Sequence, residues 1–375
     1  MKWSDDDARK EFRWLSFMSA YKYDSYRDYL AGARFIESLA TWLQQFSFED
    51  RLVAYTFIKE KLIFFSLQEI QHLIEKFFPE IVQQDLVRTV SERLGIPSYR
   101  VWASQESIEE YRFERRKTLF MGLSDGARID TLRRVNVGSI SNEQIVIATQ
   151  IDEDKWKSLM VDLRQDLEKI RPGEWGKERF SRVYLIDDFT ASGTTLLRCS
   201  GIEKELKGKL LKFARSIEKA KADLGGISPF IEDYDIVVHH YIGTEKAKNH
   251  IENVYAANNE KFKEKGCANI KFRFGLLLPL SFQVTRESDD PFVKLCKQYY
   301  DPMIEGEGVH GSESGITDKM FGYAGCGQTV VMEQNTPNNS LPLLWAETQG
   351  ENGNHKMRPL FRRRERHSDL IKDTL

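Results

Sequence analysis

The sequence predicts an α/β protein, a parallel-sheet core preceded by an all-helical N-terminal segment. Three observations carry this. Between residues 105 and 280, short apolar runs alternate with amphipathic stretches, the pattern of strands joined by crossover helices. Over the first hundred residues, apolar side chains recur at three- and four-residue spacing, the period of a helix. One apolar run ends in two adjacent aspartates followed by a turn of small residues, VYLIDDFTASGTT at 183–195. In a parallel sheet, that carboxyl edge is where ligands bind.

In the helical segment, residues 1–104, Phe35, Leu39, Trp42, Leu43 and Phe46 share one helical face, as do Leu67, Ile70, Leu73, Ile74 and Phe77, with Pro79 as the stop. Residues 82–95 read as a further helix closed by Gly95 and Pro97. Such stripes pack on one another and on the next domain; the alternative use is recognition of a protein partner. A helix begins at Ser107, with Glu110 at capping-box spacing.

The core, residues 105–280, has candidate strands at 118–123, 144–149, 183–187, 235–242 and 270–278, with helical patterns at 152–170 and 197–224 between them. Residues 281–375 form an extension that can serve as a hood. It is broken by Gly, Asn and Pro, carries a short strand at 328–334, and closes on a basic cluster, HKMRPLFRRRERH at 355–367.

Composition limits the function classes. Lys and Arg number 55 against 57 Asp and Glu, a formal net charge of -2, so attraction to nucleic acid must be local, and the terminal basic cluster is its candidate. The opening residues are charged and the longest apolar runs are too short to span a bilayer, so no membrane partner and a cytoplasmic location are expected. Cys199, Cys267, Cys296 and Cys326 are scattered without a CxxC pair, which predicts buried thiols and assigns no metal-ligating residues.

A strand running into Asp187 and Asp188 delivers both carboxylates to the sheet edge on different sides. The next residues, Ala191, Ser192, Gly193, Thr194 and Thr195, combine a glycine that permits close backbone approach with hydroxyls and amides at an expected helix start, an anion-binding arrangement. Carboxylates beside an anion nest suit a ligand bearing both hydroxyl donors and a phosphate. A phosphorylated sugar meets both demands.

This stretch resembles the phosphoribosyl pyrophosphate (PRPP) motif of type I phosphoribosyltransferases: an apolar strand, two acids, three variable residues, then Thr or Ser, Gly, any residue, Thr. The resemblance covers residues 118–280. It implies that Asp187 and Asp188 bind the ribose hydroxyls and stabilise charge on the ribose, and that Ala191, Ser192, Gly193, Thr194 and Thr195 hold the 5-phosphate. A second element, TLFMGLSDGARID at 118–130, resembles the family's pyrophosphate loop, with Ser124, Asp125, Gly126, Ala127 and Arg128 as its residues; the alternative is a plain βα turn. The resemblance further implies Mg2+, carried mainly by PRPP itself, and displacement of pyrophosphate by a nitrogen nucleophile.

The chain departs from the purine-salvage members at Ala191, where those have an acid thought to act as base, so no base is assigned. The resemblance implies a lid over residues 151–180, where Lys155, Lys157, Arg171, Lys177 and Arg179 are the candidate cations for a pyrophosphate; the alternative is ordinary surface charge. GYAGCG at 322–327 precedes a strand, where a nucleotide loop would follow one, and reads as a turn. His239 and His240 share an apolar strand, one expected in the core and one facing out. The ending NTPNNSLPLLW at 335–345 reads as an Asx-rich turn with a buried Trp345, or as a base-reading segment. It is similar to phosphoribosyltransferase-like proteins predicted to act in bacterial anti-phage systems. The expected function is a phosphoribosyltransferase-like enzyme that binds Mg-PRPP and transfers or hydrolyses its ribosyl phosphate; the alternative is a non-catalytic subunit sensing PRPP or a nucleotide.

Overall fold

The structure, a computed structural model, describes residues 1, 3–148, 151–173, 178–200, 205–306 and 319–363. Its backbone separates into two units. The described residues of Met1–Glu69 and Pro279–Leu375 form one, those of Ile70–Leu278 the other. The three consecutive segments expected from the sequence therefore group differently. The two ends of the chain share a unit, and residues 70–104 belong with the sheet.

In the first unit, helix α1 (Asp5–Tyr21) begins at Ser4, whose hydroxyl accepts the Asp7 amide at 3.2 Å, and three aspartates in its first turn suit the helix dipole. Helices α2 (Phe35–Leu43) and α3 (Arg51–Lys61) and strand β1 (Ile63–Phe65) follow. Phe35, Leu39, Trp42, Leu43 and Phe46 are all buried, as their spacing predicts.

Helix α4 (Leu67–Phe77) does not stop at Pro79. A π turn, Phe78–Val82, carries it into α5 (Gln83–Leu94), with the Gln83 amide donating to the Phe78 carbonyl. The wider turn absorbs a residue that has no N–H to give. Gly95 ends α5 at φ 64°. Helix α6 (Gln105–Arg116) starts earlier than expected: its cap is Ser104, which accepts the Ser107 amide at 3.2 Å. Glu110 does not reach back to Ser107, because its buried carboxylate is held by Arg93 and Arg171.

The sheet comprises β2 (Thr118–Gly122), β3 (Ile145–Ile147), β4 (Phe180–Thr190), β7 (Phe230–Thr244) and β8 (Asn269–Leu278). The order is β3-β2-β4-β7-β8, with every neighbour parallel. All five expected strands are present. Between them run α7 (Ile129–Val135), α8 (Glu153–Ile170), a short antiparallel pair β5 (Arg198–Ser200) and β6 (Glu205–Lys207), α9 (Lys209–Asp223), α10 (Glu245–Ala257) and α11 (Asn259–Glu264).

Leu119, Met121, Val183, Leu185, Ile236 and Val238 cluster with Trp156 and Leu163 of α8, Leu210 and Phe213 of α9, and Ala247 and Ile251 of α10. On the opposite face, Phe77 of α4 makes ring contacts with Phe120, Tyr184, His239 and Tyr241. A parallel sheet needs both faces covered, and α4 supplies part of the second cover. That is why residues 70–104 join this unit.

The first unit resumes with α12 (Pro291–Tyr299), β9 (Val330–Met332) and α13 (Pro342–Trp345). Strand β9 pairs parallel with β1, Ile63 opposite Val330, and Phe57 stacks on Phe292 with centroids 3.7 Å apart. Residues 322–327 form a packed turn: a Cβ at Gly327, where φ is 52°, would lie 1.9 Å from the Val284 carbonyl oxygen. Met357, Leu360 and Phe361 are buried, so the start of the basic cluster is core and not tail. Arg362 pairs with Glu347 and Arg363 lies over the Trp345 ring; residues 364–375 lie outside the described residues. Cys267, Cys296 and Cys326 are buried, whereas Cys199 is exposed. Among the described residues, no helix is long and apolar enough to cross a membrane.

Candidate functional site

The register of β4 against its neighbours places the acids. Asp187 stands opposite His240 of β7, and because side chains alternate along a strand, Asp188 points to the other face, the face of Tyr241. Both acids lie near the carboxyl end of β4, as the sequence predicts. Asp187 is buried and Asp188 is partly exposed.

The turn after β2 meets both acids. Asp125–Ala127 form a single 3-10 turn, and Arg128 takes a left-handed conformation at φ 49°, an unusual cost for a non-glycine residue. The Ser124 hydroxyl donates to Asp187 Oδ1. A Cβ at Gly126 would lie 2.8 Å from Asp188 Oδ2. Two residues of this turn, Ser124 and Gly126, thus lie directly against the acidic pair, which a plain βα turn does not require.

The turn after β4 is seated from behind. The Thr244 hydroxyl donates to the Ala191 carbonyl at 2.8 Å while accepting the Ala247 amide at 3.0 Å as the cap of α10. Gly193, at φ 75°, packs so closely on α10 that a Cβ would lie 2.7 Å from Ile251 Cγ1. Ala191, Ser192 and Gly193 are buried, and the Ser192 hydroxyl pairs with that of Thr194 at 2.8 Å. Thr194 is partly exposed and Thr195 exposed, so these two present the turn to solvent.

The expected helix over 197–224 is not continuous. One helical turn forms, with the Leu196 and Leu197 amides both donating to the Gly193 carbonyl at 3.1 and 3.0 Å. The chain then leaves through β5 and β6 and re-enters at α9, where the Lys209 amide donates to Thr195 O at 3.0 Å and the Leu210 amide to Leu196 O at 3.2 Å; residues 201–204 lie outside the described residues. Gly208 makes the re-entry fit: φ is 130°, and a Cβ there would lie 2.2 Å from the Leu196 carbonyl oxygen.

That excursion delivers Lys209 to the acids. Its ammonium lies 2.5 Å from Asp187 Oδ2, so Asp187 is engaged at both oxygens, by Lys209 and Ser124. Among the described residues, Asp188 accepts only the Phe189 amide, at 2.8 Å, and its pKa rises to about 6, first through burial and next through the Asp187 charge, against the opposing pull of Arg128 and Lys209. His240 is buried beside this pair, stacked on Phe274, and burial lowers its pKa to about 4. The expectation that one histidine faces out is corrected: the covered sheet buries both.

Lys209, Tyr241 and Thr244 escaped the sequence reading, and His240 was read there only as a strand residue and not as a neighbour of the acids. His240 and Tyr241 were legible in principle as the end of the neighbouring strand. Lys209 was not, since in an unbroken helix from residue 197 it would lie about 18 Å along the axis. Of the expected lid residues, Arg171 is held by Glu110 at 2.5 Å and lies over Phe113, and Lys157 pairs with Glu153 at 2.5 Å; Lys177 lies outside the described residues. Trp345 is partly exposed, not buried, and donates to Ser340 O at 2.8 Å.

A five-stranded parallel sheet with an acidic pair and two turns gathered at its carboxyl edge defines a phosphoribosyltransferase-like α/β protein. A family model described as PRTase-CE matches residues 39–363, and the chain belongs to that family. Neither curated proteins nor solved structures give a match.

Proposed function

We propose that this site binds PRPP with its magnesium and transfers or hydrolyses the ribosyl phosphate. One observation carries the reading: the 124–128 turn contacts both Asp187 and Asp188, so that turn and the 191–195 turn that follows β4 adjoin one acidic pair. The 5-phosphate sits at residues 191–195, reached through Thr194 and Thr195. The pyrophosphate meets residues 124–128, with Arg128 as its cation. The acids take the ribose hydroxyls, and their negative charge stabilises the cationic ribose of the transition state.

The residues suit a magnesium ion that arrives with the ligand. Asp188 offers a partly exposed carboxylate without a direct cation partner among the described residues. Among the described residues, no group of three or more His, Cys, Asp or Glu is placed to hold a metal, and an ion carried by phosphates and water needs none. When bound, magnesium would neutralise the pyrophosphate leaving group.

Calorimetry with PRPP and Mg2+ on the wild type and on the Asp188→Asn, Thr195→Ala double variant tests the reading; equal heats from the two would remove the site. A sensing role is the second reading, favoured by the full engagement of Asp187. Binding without pyrophosphate release across a panel of bases would select it. Support for an anti-phage role comes from the 335–345 ending, and plaque counts on cells expressing the wild type or the double variant test it.

A further inference from the structure

Two acids beside an anion nest repel the ligand the nest is built for, unless a cation lies among them. Arg128 is one such cation. The second comes from the excursion through β5 and β6. Lys209 is tied by its backbone to the phosphate turn, its amide donating to Thr195 O at 3.0 Å. Its ammonium is tied to the acid, 2.5 Å from Asp187 Oδ2. Asp187 Oδ1 is in turn bonded to Ser124, the first residue of the other turn. The Lys209 side chain therefore runs from one turn toward the other by way of Asp187, and it retains solvent access, with 24% of its surface exposed against 7% for Asp187.

We propose that Lys209 is an anion-binding residue of this site: Asp187 holds its ammonium in place, and the ammonium contacts a phosphate group of the ligand. An ammonium has three donors, so the Asp187 contact leaves donors for an anion. The two acids then divide their work. Asp187 holds a cation beside its share of the sugar contact, and Asp188, with no ammonium or guanidinium bonded to it among the described residues, is the more open carboxylate for sugar hydroxyls. This deepens the reading above, resting on it for the identity of the ligand but not for the binding of an anion. The geometry also gives the excursion a purpose, since only a broken helix brings residue 209 to the end of β4.

Inorganic pyrophosphate, which has no sugar hydroxyls, isolates the anion contact. Calorimetry on the full chain compares wild type, Lys209→Met and the Asp187→Asn, Lys209→Met double variant. The expected result is binding to wild type, a loss of roughly tenfold or more in Lys209→Met, and an equal loss in the double variant. The double variant removes both charges of the pair together, so it carries the comparison should Lys209→Met alone fail to fold. Unchanged affinity in Lys209→Met overturns the proposal, as does wild-type affinity in the double variant, which would make Lys209 only a mask for Asp187. No binding to wild type also overturns it. A parallel titration with PRPP separates the two levels. Lys209-dependent pyrophosphate binding without PRPP binding sinks the reading and keeps the anion contact; PRPP binding indifferent to Lys209 does the reverse.

Discussion

Gly126 and Asp188 are packed so that no side chain fits between them: a Cβ on Gly126 would lie 2.8 Å from Asp188 Oδ2 and 3.0 Å from its Cγ. The turn after β2 and the acid at the end of β4 are one surface, and the absence of a side chain at residue 126 keeps the carboxylate where it is.

Gly126→Ala is therefore expected to displace the Asp188 carboxylate. The φ of Gly126 is not in the left-handed region, so the cost comes from crowding and amounts to about 1–2 kcal/mol of stability. Affinity for PRPP falls by roughly tenfold or more, since a misplaced polar group loses its hydrogen bonds. Thermal melting and calorimetry on the same variant check both, and unchanged affinity would show that Asp188 does not touch the ligand.

Asp188 ties stability to pH. Its pKa stands at about 6 in the folded chain against an ordinary 3.8, so the folded state holds this proton more tightly than the unfolded chain does. Stability from this group is then highest at low pH, falls as pH rises from about 4 to 6, and stays low above that. Asp188→Asn should stabilise the fold at pH 7.5 by on the order of 2 kcal/mol and do little at pH 4. Denaturant titrations at both pH values check this; a loss of stability at pH 7.5 would mean that Arg128 and Lys209 outweigh the burial. Ligand binding that uses the ionised carboxylate should weaken as pH falls below about 6.

Thr244 supports the phosphate turn from inside, fully buried and bonded to both Ala191 O and the Ala247 amide. Thr244→Val removes a helix cap and leaves a buried carbonyl without its donor, a cost of about 1–3 kcal/mol. Thr244→Ser should recover most of it. Chemical denaturation of the two variants side by side is the measurement, and a Thr244→Ser loss as large as or larger than that of Thr244→Val would overturn the claim that the hydroxyl is what matters here.

Gly208 fixes the return of the chain to α9. With φ at 130° and a prospective Cβ 2.2 Å from Leu196 O, Gly208→Ala combines strain with a backbone clash and should cost about 2–4 kcal/mol. Because residue 209 moves with it, pyrophosphate affinity should fall in the same variant. A variant of wild-type stability would show that the re-entry tolerates a side chain.

The five strands and the acidic pair were legible because each is a local pattern: apolar runs of strand length, then two acids, then a glycine turn. The burial of Phe35, Leu39, Trp42 and Phe46 followed from spacing alone for the same reason. The start of α6 was misplaced by three residues because Ser104 and Ser107 are both plausible caps, and burial of Glu110 with Arg93 and Arg171 decided between them. The passage through Pro79 was hidden because a π turn has no local signature distinct from a stop.

What the sequence determined by itself is the sheet, its parallel class and the carboxyl edge where Asp187, Asp188 and the 191–195 turn lie, since these depend on neighbours within a few residues. Tertiary structure alone decided which distant residues join them. Strand register set His240 opposite Asp187, the close approach of Gly208 to Leu196 brought Lys209 back to the end of β4, and the parallel sheet's uncovered face drew in α4. Each of those outcomes depends on contacts between residues far apart in the chain, which neither periodicity nor composition encodes.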